Sequence, residues 1–307
     1  MTTSSFAGVL VPVLTPFTRG GEPDAGRFVA FCRWLLDQGA DGLAIFGTTS
    51  EANSMSAGER MALLDRLIAA GIPAAKLMPG SGACSMTEAA ALARHAVDHG
   101  CGGVLMLPPF YYKGMPDDGL YAFIAGVIGR VGSTALKIYL YHIPPVAQVG
   151  FSLDLVGRFI KAYPRTVVGL KDSSGDWSNT EAVLKAFHEV FDVFAGSEAF
   201  LLPNMRHGGK GCISATANIN PAAIHGLYAH WQEADADQRQ ATLNDLRFAM
   251  QKFPMIPALK HTVARFAGEA AWKTVRPPLV PLTREQGEGL DGELDKRGFT
   301  MPGWPLR

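Results

Sequence analysis

Val167-Val168-Gly169-Leu170-Lys171-Asp172 is a nearly continuous apolar run that closes on a lysine. A strand with one wet face alternates apolar and polar residues, whereas a strand covered on both faces stays apolar throughout. The run therefore reads as one strand of a parallel sheet wrapped by helices. Other short runs share its texture, at residues 9–14, 43–46, 76–79, 104–107, 136–141, 193–195 and 211–214. Amphipathic stretches lie between them. Ser56 with Glu59, Ser85 with Glu88 and Ser178 with Glu181 have the spacing of capping boxes that open helices. Gly39, Gly71, Gly100 and Gly208 stand where helices should stop in a left-handed residue.

A weak echo runs through the chain: Gln38-Gly39-Ala40-Asp41-Gly42, His99-Gly100-Cys101-Gly102-Gly103 and His207-Gly208-Gly209-Lys210-Gly211. Each copy closes a helix and launches the next strand. Eight strands with helices between them predict an α/β fold, a (β/α)8 TIM barrel over residues 1–220. A doubly wound open sheet is the rival, but no GxGxxG follows the first strand. Beyond Ile219 the texture turns helical. Residues 221–253, with Leu227, Trp231, Leu243, Leu246 and Met250 facing a core, and residues 257–267 precede the Pro-rich Arg276-Pro277-Pro278-Leu279-Val280-Pro281. Residues 221–307 are expected to be a C-terminal helical extension without a catalytic motif.

Composition removes several function classes. Lys and Arg number 28 against 28 Asp and Glu, which leaves no basic surplus for a nucleic-acid partner. No apolar run is long enough to span a membrane, and the opening residues lack the pattern of a secretory leader. Cys32, Cys84, Cys101 and Cys212 are scattered without a CxxC pair, which points to reduced thiols and a cytoplasmic protein. No nucleophile elbow or P-loop occurs. His95 and His99 share a helix face, but no HExxH or neighbouring carboxylate cluster in the sequence accompanies them, so no metal is expected.

In a barrel of this kind the chemistry gathers where strands end. Lys171 ends its strand inside the wall, where an ammonium losing hydration becomes a nucleophilic amine for Schiff-base chemistry; pairing with Asp172 or Asp176 on a wet rim is the other reading. Gly47-Thr48-Thr49 offers hydroxyls and N–H groups to a carboxylate, or else caps a local turn. Tyr141 is either a proton relay or a core tyrosine with a satisfied hydroxyl. Tyr111-Tyr112 lies on a loop, where adjacent exposed aromatics often mark an interface. Ser173-Ser174-Gly175 fits a phosphate cradle or a plain turn.

Taken together these pieces resemble the dihydrodipicolinate synthase / N-acetylneuraminate lyase family of class I aldolases and lyases. The resemblance runs through Gly8-Val9-Leu10-Val11-Pro12-Val13-Leu14-Thr15-Pro16-Phe17, Gly47-Thr48-Thr49-Ser50-Glu51, Tyr111-Tyr112 and Tyr141-His142-Ile143-Pro144. It continues through Gly169-Leu170-Lys171-Asp172-Ser173-Ser174-Gly175-Asp176 and Gly211-Cys212-Ile213-Ser214-Ala215-Thr216-Ala217-Asn218, and ends at Arg276-Pro277-Pro278-Leu279-Val280-Pro281-Leu282-Thr283. It implies a Schiff base between Lys171 and pyruvate or a related 2-oxo acid, with no other cofactor. Thr48 and Thr49 would hold the carboxylate, Thr48 also relaying protons, and Tyr141 would be the general acid/base. Tyr112 would enter from a neighbouring subunit in a homotetramer, a dimer of dimers. Gly196 and the Ile213 carbonyl would line the pyruvate end, and Gly47, Glu198 and Ser214 complete the expected substrate-binding set.

Three residues depart from the pattern. Ser50 replaces a glycine, His142 replaces the usual asparagine, and Val146 stands where dihydrodipicolinate synthases carry the arginine that clamps the second substrate's carboxylate. Lys113 and Gln148 are the nearby substitutes for that clamp. The chain is thus expected to be a lyase or aldolase making or breaking a carbon–carbon bond next to a 2-oxo acid. Condensation of pyruvate with aspartate semialdehyde is an alternative, as is dehydration of a 2-oxo-3-deoxy sugar acid. A non-catalytic 2-oxo acid binding protein is the reading from a different class.

Overall fold

The computed structural model describes residues 6–305. Seven parallel strands, β1 (Gly8–Val11), β2 (Gly42–Leu43), β3 (Val104–Met106), β4 (Ile138–His142), β5 (Val167–Asp172), β6 (Asp192–Ala195) and β7 (Gly211–Ile213), form one sheet in the order β2-β1-β7-β6-β5-β4-β3. The gap between β2 and β3 is closed by residues 77–81. Met78 and Gly80 donate to Leu43 and Ile45 at 2.9 and 2.7 Å, while Leu105 donates to Pro79 and accepts from Ser81 at 3.0 and 2.9 Å. The ring is therefore the expected TIM-barrel fold, and its eighth member bonds through isolated bridges rather than a regular ladder. The expected strand at 76–79 is cut short because a 3-10 turn occupies Ala74–Lys76 and Pro79 has no N–H to donate.

Around the ring lie α1 (Ala25–Asp37), α2 (Ala57–Ala69), α3 (Met86–Asp98), α4 (Asp117–Val131), α5 (Pro144–Ala147), α6 (Leu153–Ala162), α7 (Trp177–Phe187), α8 (Leu201–Arg206) and α9 (Pro221–Ala229). The helix α9 packs over β1, and its His225 Nδ1 lies 3.0 Å from Asp41 Oδ2, so it completes the outer layer. Of residues 221–307, expected as a C-terminal extension, α9 thus lies in the barrel's outer layer, and α10 (Ala236–Gln251), α11 (Met255–Ala267) and α12 (Arg284–Lys296) follow it. Within that stretch sequence reading does not single out α12, because three glycines and a string of acidic residues obscure its apolar period. Thr283 and Gln286 cap it reciprocally, and Leu290 and Leu294 bury one side.

Local signals hold in part. Gly39, Gly71, Gly100 and Gly208 all have φ between 72° and 92°, the left-handed stop expected of them. Ser56 and Glu59 form a full capping box, and Ser85 caps α3 by accepting from Glu88 N. The box read at Ser178 is wrong: Asp176 is the cap, accepting from Ser178 N at 2.9 Å, and the helix starts two residues earlier. An Asx side chain reaches the second N–H as readily as a serine does, which the spacing alone does not reveal. Among the described residues no helix is long and apolar enough to cross a membrane.

Candidate active site

Parallel register sets the centre of the site. Tyr141 of β4 lies opposite Lys171 of β5, and both are 3% exposed. Alternation along β5 turns Lys171 into the barrel and Asp172 outward to α7. The Asp172 carboxylate is fully committed there: it accepts from Ser174 N at 2.8 Å, Asn179 Nδ2 at 2.8 Å and Thr180 Oγ1 at 2.7 Å. Asp176 caps α7. Pairing of Lys171 with either acid on a wet rim is thereby excluded, and among the described residues Lys171 has no ion-pair partner. Its Nζ instead stands 4.2 Å from the centre of the Tyr141 ring. The Tyr141 hydroxyl donates to Thr48 Oγ1 at 3.4 Å, a long bond at the limit of useful geometry.

Thr48 and Thr49 sit on a turn that is bolted in place. Phe46 and Glu51 bracket it with φ of 59° and 57°. Ser50, one of the three departures from the expected pattern, is fully buried; its hydroxyl donates to Val13 O at 2.5 Å and its carbonyl accepts from Thr15 Oγ1 at 2.8 Å. The departure at Ser50 thus adds a cross-link to the end of β1. Glu51 pairs with the buried Lys260 of α11 and accepts from Arg276 N at 2.8 Å.

Lys171, Tyr141, Thr48 and Thr49 open on one cavity of about 590 Å³, with Gly196 and Ile213 in its wall. A Cβ at Gly196 would lie 2.0 Å from Ser173 Oγ and 2.6 Å from Asp172 O, so only glycine fits there. The Ser173-Ser174-Gly175 turn forms another part of the wall. Several expected residues lie elsewhere. Gly47 borders a separate small pocket. Glu198 and Ser214 are buried behind the wall, bonded to each other, with Thr216 also on Glu198. Tyr112 is 68% exposed and does not reach the cavity of its own chain. Lys113 does not line the cavity, and its Nζ donates to the Phe110 and Ala147 carbonyls; Gln148 is exposed outside the cavity. Val146 lies on the rim, 62% exposed.

The far wall comes from α10 and α11, helices that no sequence motif connects with the site. Arg247, Phe248, Gln251 and Met255 all face the cavity. The one available signal is that Arg247 falls on the apolar stripe of Leu243, Leu246 and Met250, an odd place for an arginine. Away from the cavity, Asp65 joins His95 and His99 with Oδ1 2.8 Å from both Nε2 atoms, a carboxylate the sequence had not linked to the pair.

His142 is buried beside the site and its Nδ1 accepts from Phe151 N at 3.0 Å. Burial pushes its pKa below the ordinary 6.5, with the Asp172 charge opposing. The unfolded chain then binds the extra proton first, so stability falls as the pH drops below 6.5 and levels off beneath the folded pKa. Denaturant melts of wild type and His142→Asn between pH 5 and 7 are expected to differ in this slope, the variant being flatter. Equal slopes would remove the assignment.

Comparison with known proteins fits this geometry. A profile described as "Dihydrodipicolinate synthetase family" matches residues 5–296. The chain belongs to this family. A 4-hydroxy-tetrahydrodipicolinate synthase of Rhizobium meliloti is 33% identical, with 96% of this chain and 99% of the relative covered. An uncharacterized DapA-like lyase of Chloroflexus aurantiacus is 30% identical over 94% of this chain and 96% of its own. The crystal structure of dihydrodipicolinate synthase from Agrobacterium tumefaciens superposes with a TM-score of 0.88 at 35% identity, covering 95% and 99% of the two chains. Family membership makes the chain a lyase of the class I aldolase type.

Proposed function

We propose that Lys171 condenses with the keto carbon of pyruvate or a related 2-oxo acid, releasing water, and that the imine serves carbon–carbon bond formation or cleavage. One arrangement carries the reading: a buried lysine amine with no ion-pair partner among the described residues, over the ring of a tyrosine, in a cavity that also holds two threonine hydroxyls. The imine draws electrons from the neighbouring carbon, and the Tyr141 phenol moves the proton through Thr48. Thr48 and Thr49 hold the carboxylate with hydroxyl and backbone N–H donors. The exposed Tyr112 serves a neighbouring chain's cavity, which favours a dimer pair within a tetramer.

Reduction with borohydride in the presence of pyruvate tests the core of this. A pyruvate-derived mass on the Lys171 peptide is expected; an unmodified chain, or mass on another residue, defeats the proposal. Tyr141→Phe is expected to slow exchange of the pyruvate methyl protons by about 10²–10⁴-fold, since it removes only the proton shuttle. Exchange at the wild-type rate would take Tyr141 out of the mechanism.

Aspartate semialdehyde as the second substrate has the named relatives in its favour and Val146 against it. An apolar rim residue gives a distal carboxylate nothing to bind where an arginine would. A coupled assay with pyruvate and aspartate semialdehyde decides, and turnover at the rate of a dedicated synthase would establish that alternative.

A further inference from the structure

Arg247 projects from α10 into the wall of the cavity, with only 12% of its side chain exposed. Among the described residues its guanidinium makes no hydrogen bond, and Nε and Nη1 are both buried without a partner. Burying a guanidinium in this way is costly unless an acceptor reaches it. The nearest acid, Glu198, does not serve: Nη1 to Oε2 is 3.6 Å, and each Glu198 oxygen already accepts a hydroxyl, from Ser214 and from Thr216. Glu198 offsets the charge at a distance and leaves the donors open.

The position is not accidental slack on a mobile helix. Two turns earlier on α10, Gln240 accepts from Leu202 N and donates to Glu198 O, both at 2.9 Å, which fastens α10 to the segment after β6. The cavity is several times larger than pyruvate needs, and its other lining groups on this side are the uncharged Gln251 and the apolar Phe248, Phe253 and Met255. Arg247 is thus the cationic donor of the far wall, while Val146 leaves the rim without one.

We infer that Arg247 receives an oxyanion at the end of the substrate remote from the imine, so the preferred substrate is a 2-oxo acid carrying a second carboxylate. This rests on Lys171 being the imine-forming amine. It moves the anion clamp from the strand-end loop around Val146 to a helix appended to the barrel, and selects dicarboxylic over neutral chains of the same length.

The test compares borohydride trapping of 2-oxoglutarate and 2-oxoadipate with 2-oxopentanoate and 2-oxohexanoate, pairs matched in carbon number. Wild-type protein is expected to reach half-maximal trapping with at least one diacid at roughly 10- to 100-fold lower concentration than with its partner, the worth of a hydrogen bond to a charged group. Arg247→Met is expected to erase that preference, and Arg247→Lys to keep part of it. Equal half-saturation within both pairs in the wild type overturns the inference, as does a preference that survives Arg247→Met. Pyruvate reports separately on the underlying reading. If wild-type protein traps pyruvate at Lys171 but treats diacids and monoacids alike, only the Arg247 subsite falls; if it traps nothing, the Schiff base falls and takes the subsite with it.

Discussion

Lys171→Ala is expected to leave a folded protein that no longer traps pyruvate and turns over at least ~10³-fold more slowly. Among the described residues Lys171 is the only lysine lining the cavity, so no second amine stands ready to take its place. Arginine does not rescue, because a guanidinium stays protonated and cannot condense with a ketone. The stability of a companion variant gives the test a second arm. Lys171 is held nearly dry with no ion pair among the described residues, so Lys171→Met exchanges a poorly solvated amine for an apolar side chain of similar shape. Its thermal midpoint is expected to hold or to rise by about a few degrees, as happens when a site kept for function is relieved of its polar group. A marked fall in the midpoint would mean that Lys171 supports the fold, and residual trapping in Lys171→Ala would end its assignment as the nucleophile.

Lys260→Met is expected to be the most damaging single change to stability, by about 3–5 kcal/mol. Both side chains of the Lys260–Glu51 pair are wholly buried. Lys260 also donates to Thr274 O at 2.7 Å and sits 4.3 Å from the centre of the Phe17 ring. Removing the ammonium strands the Glu51 carboxylate, whose remaining bond is to Arg276 N. Adding Glu51→Gln removes that charge while keeping an acceptor for Arg276, so the double variant should recover most of the loss. Burial pushes the Lys260 pKa down to about 8 although Glu51 opposes it. The folded chain therefore gives up this proton near pH 8 and the unfolded chain near 10.5, so this group's contribution rises with pH between those values. Urea melts of the single and double variants check the first claim, and wild-type melts against Lys260→Met from pH 8 to 10 check the second. A double variant as unstable as the single one would show that packing, not charge, holds the turn.

The legible part of the site is the part that strands deliver. Lys171 and Tyr141 end apolar runs, and a strand's end is visible in its own sequence, so their meeting in the barrel follows from register. Thr48 and Thr49 are readable for the same reason, since they follow the run that ends at Phe46. Position within the wall is harder to read. Glu198 and Ser214 follow strands too, yet they turn into a buried network behind the cavity, because rotation of a short turn after the strand decides which way a side chain points. Arg247 is invisible as a site residue because only the docking of α10 brings it there, and docking is decided by residues far along the chain. The bridging segment at 77–81 is legible as an extended run at 76–79, but its irregular pairing is not: one proline removes a ladder bond without removing the extended path.

Glu51 and Lys260 join the turn that carries Thr48 and Thr49 to a helix from the last fifth of the chain, while Arg247 comes from the helix just before it. The reacting end and the opposite wall therefore lie on separate stretches of polypeptide, and the buried Lys260–Glu51 pair is one of the contacts that join the turn to the appended helices. Changes in α10 can retune which molecules enter without disturbing the amine and phenol. Loss of the downstream helix would slacken the reacting end itself.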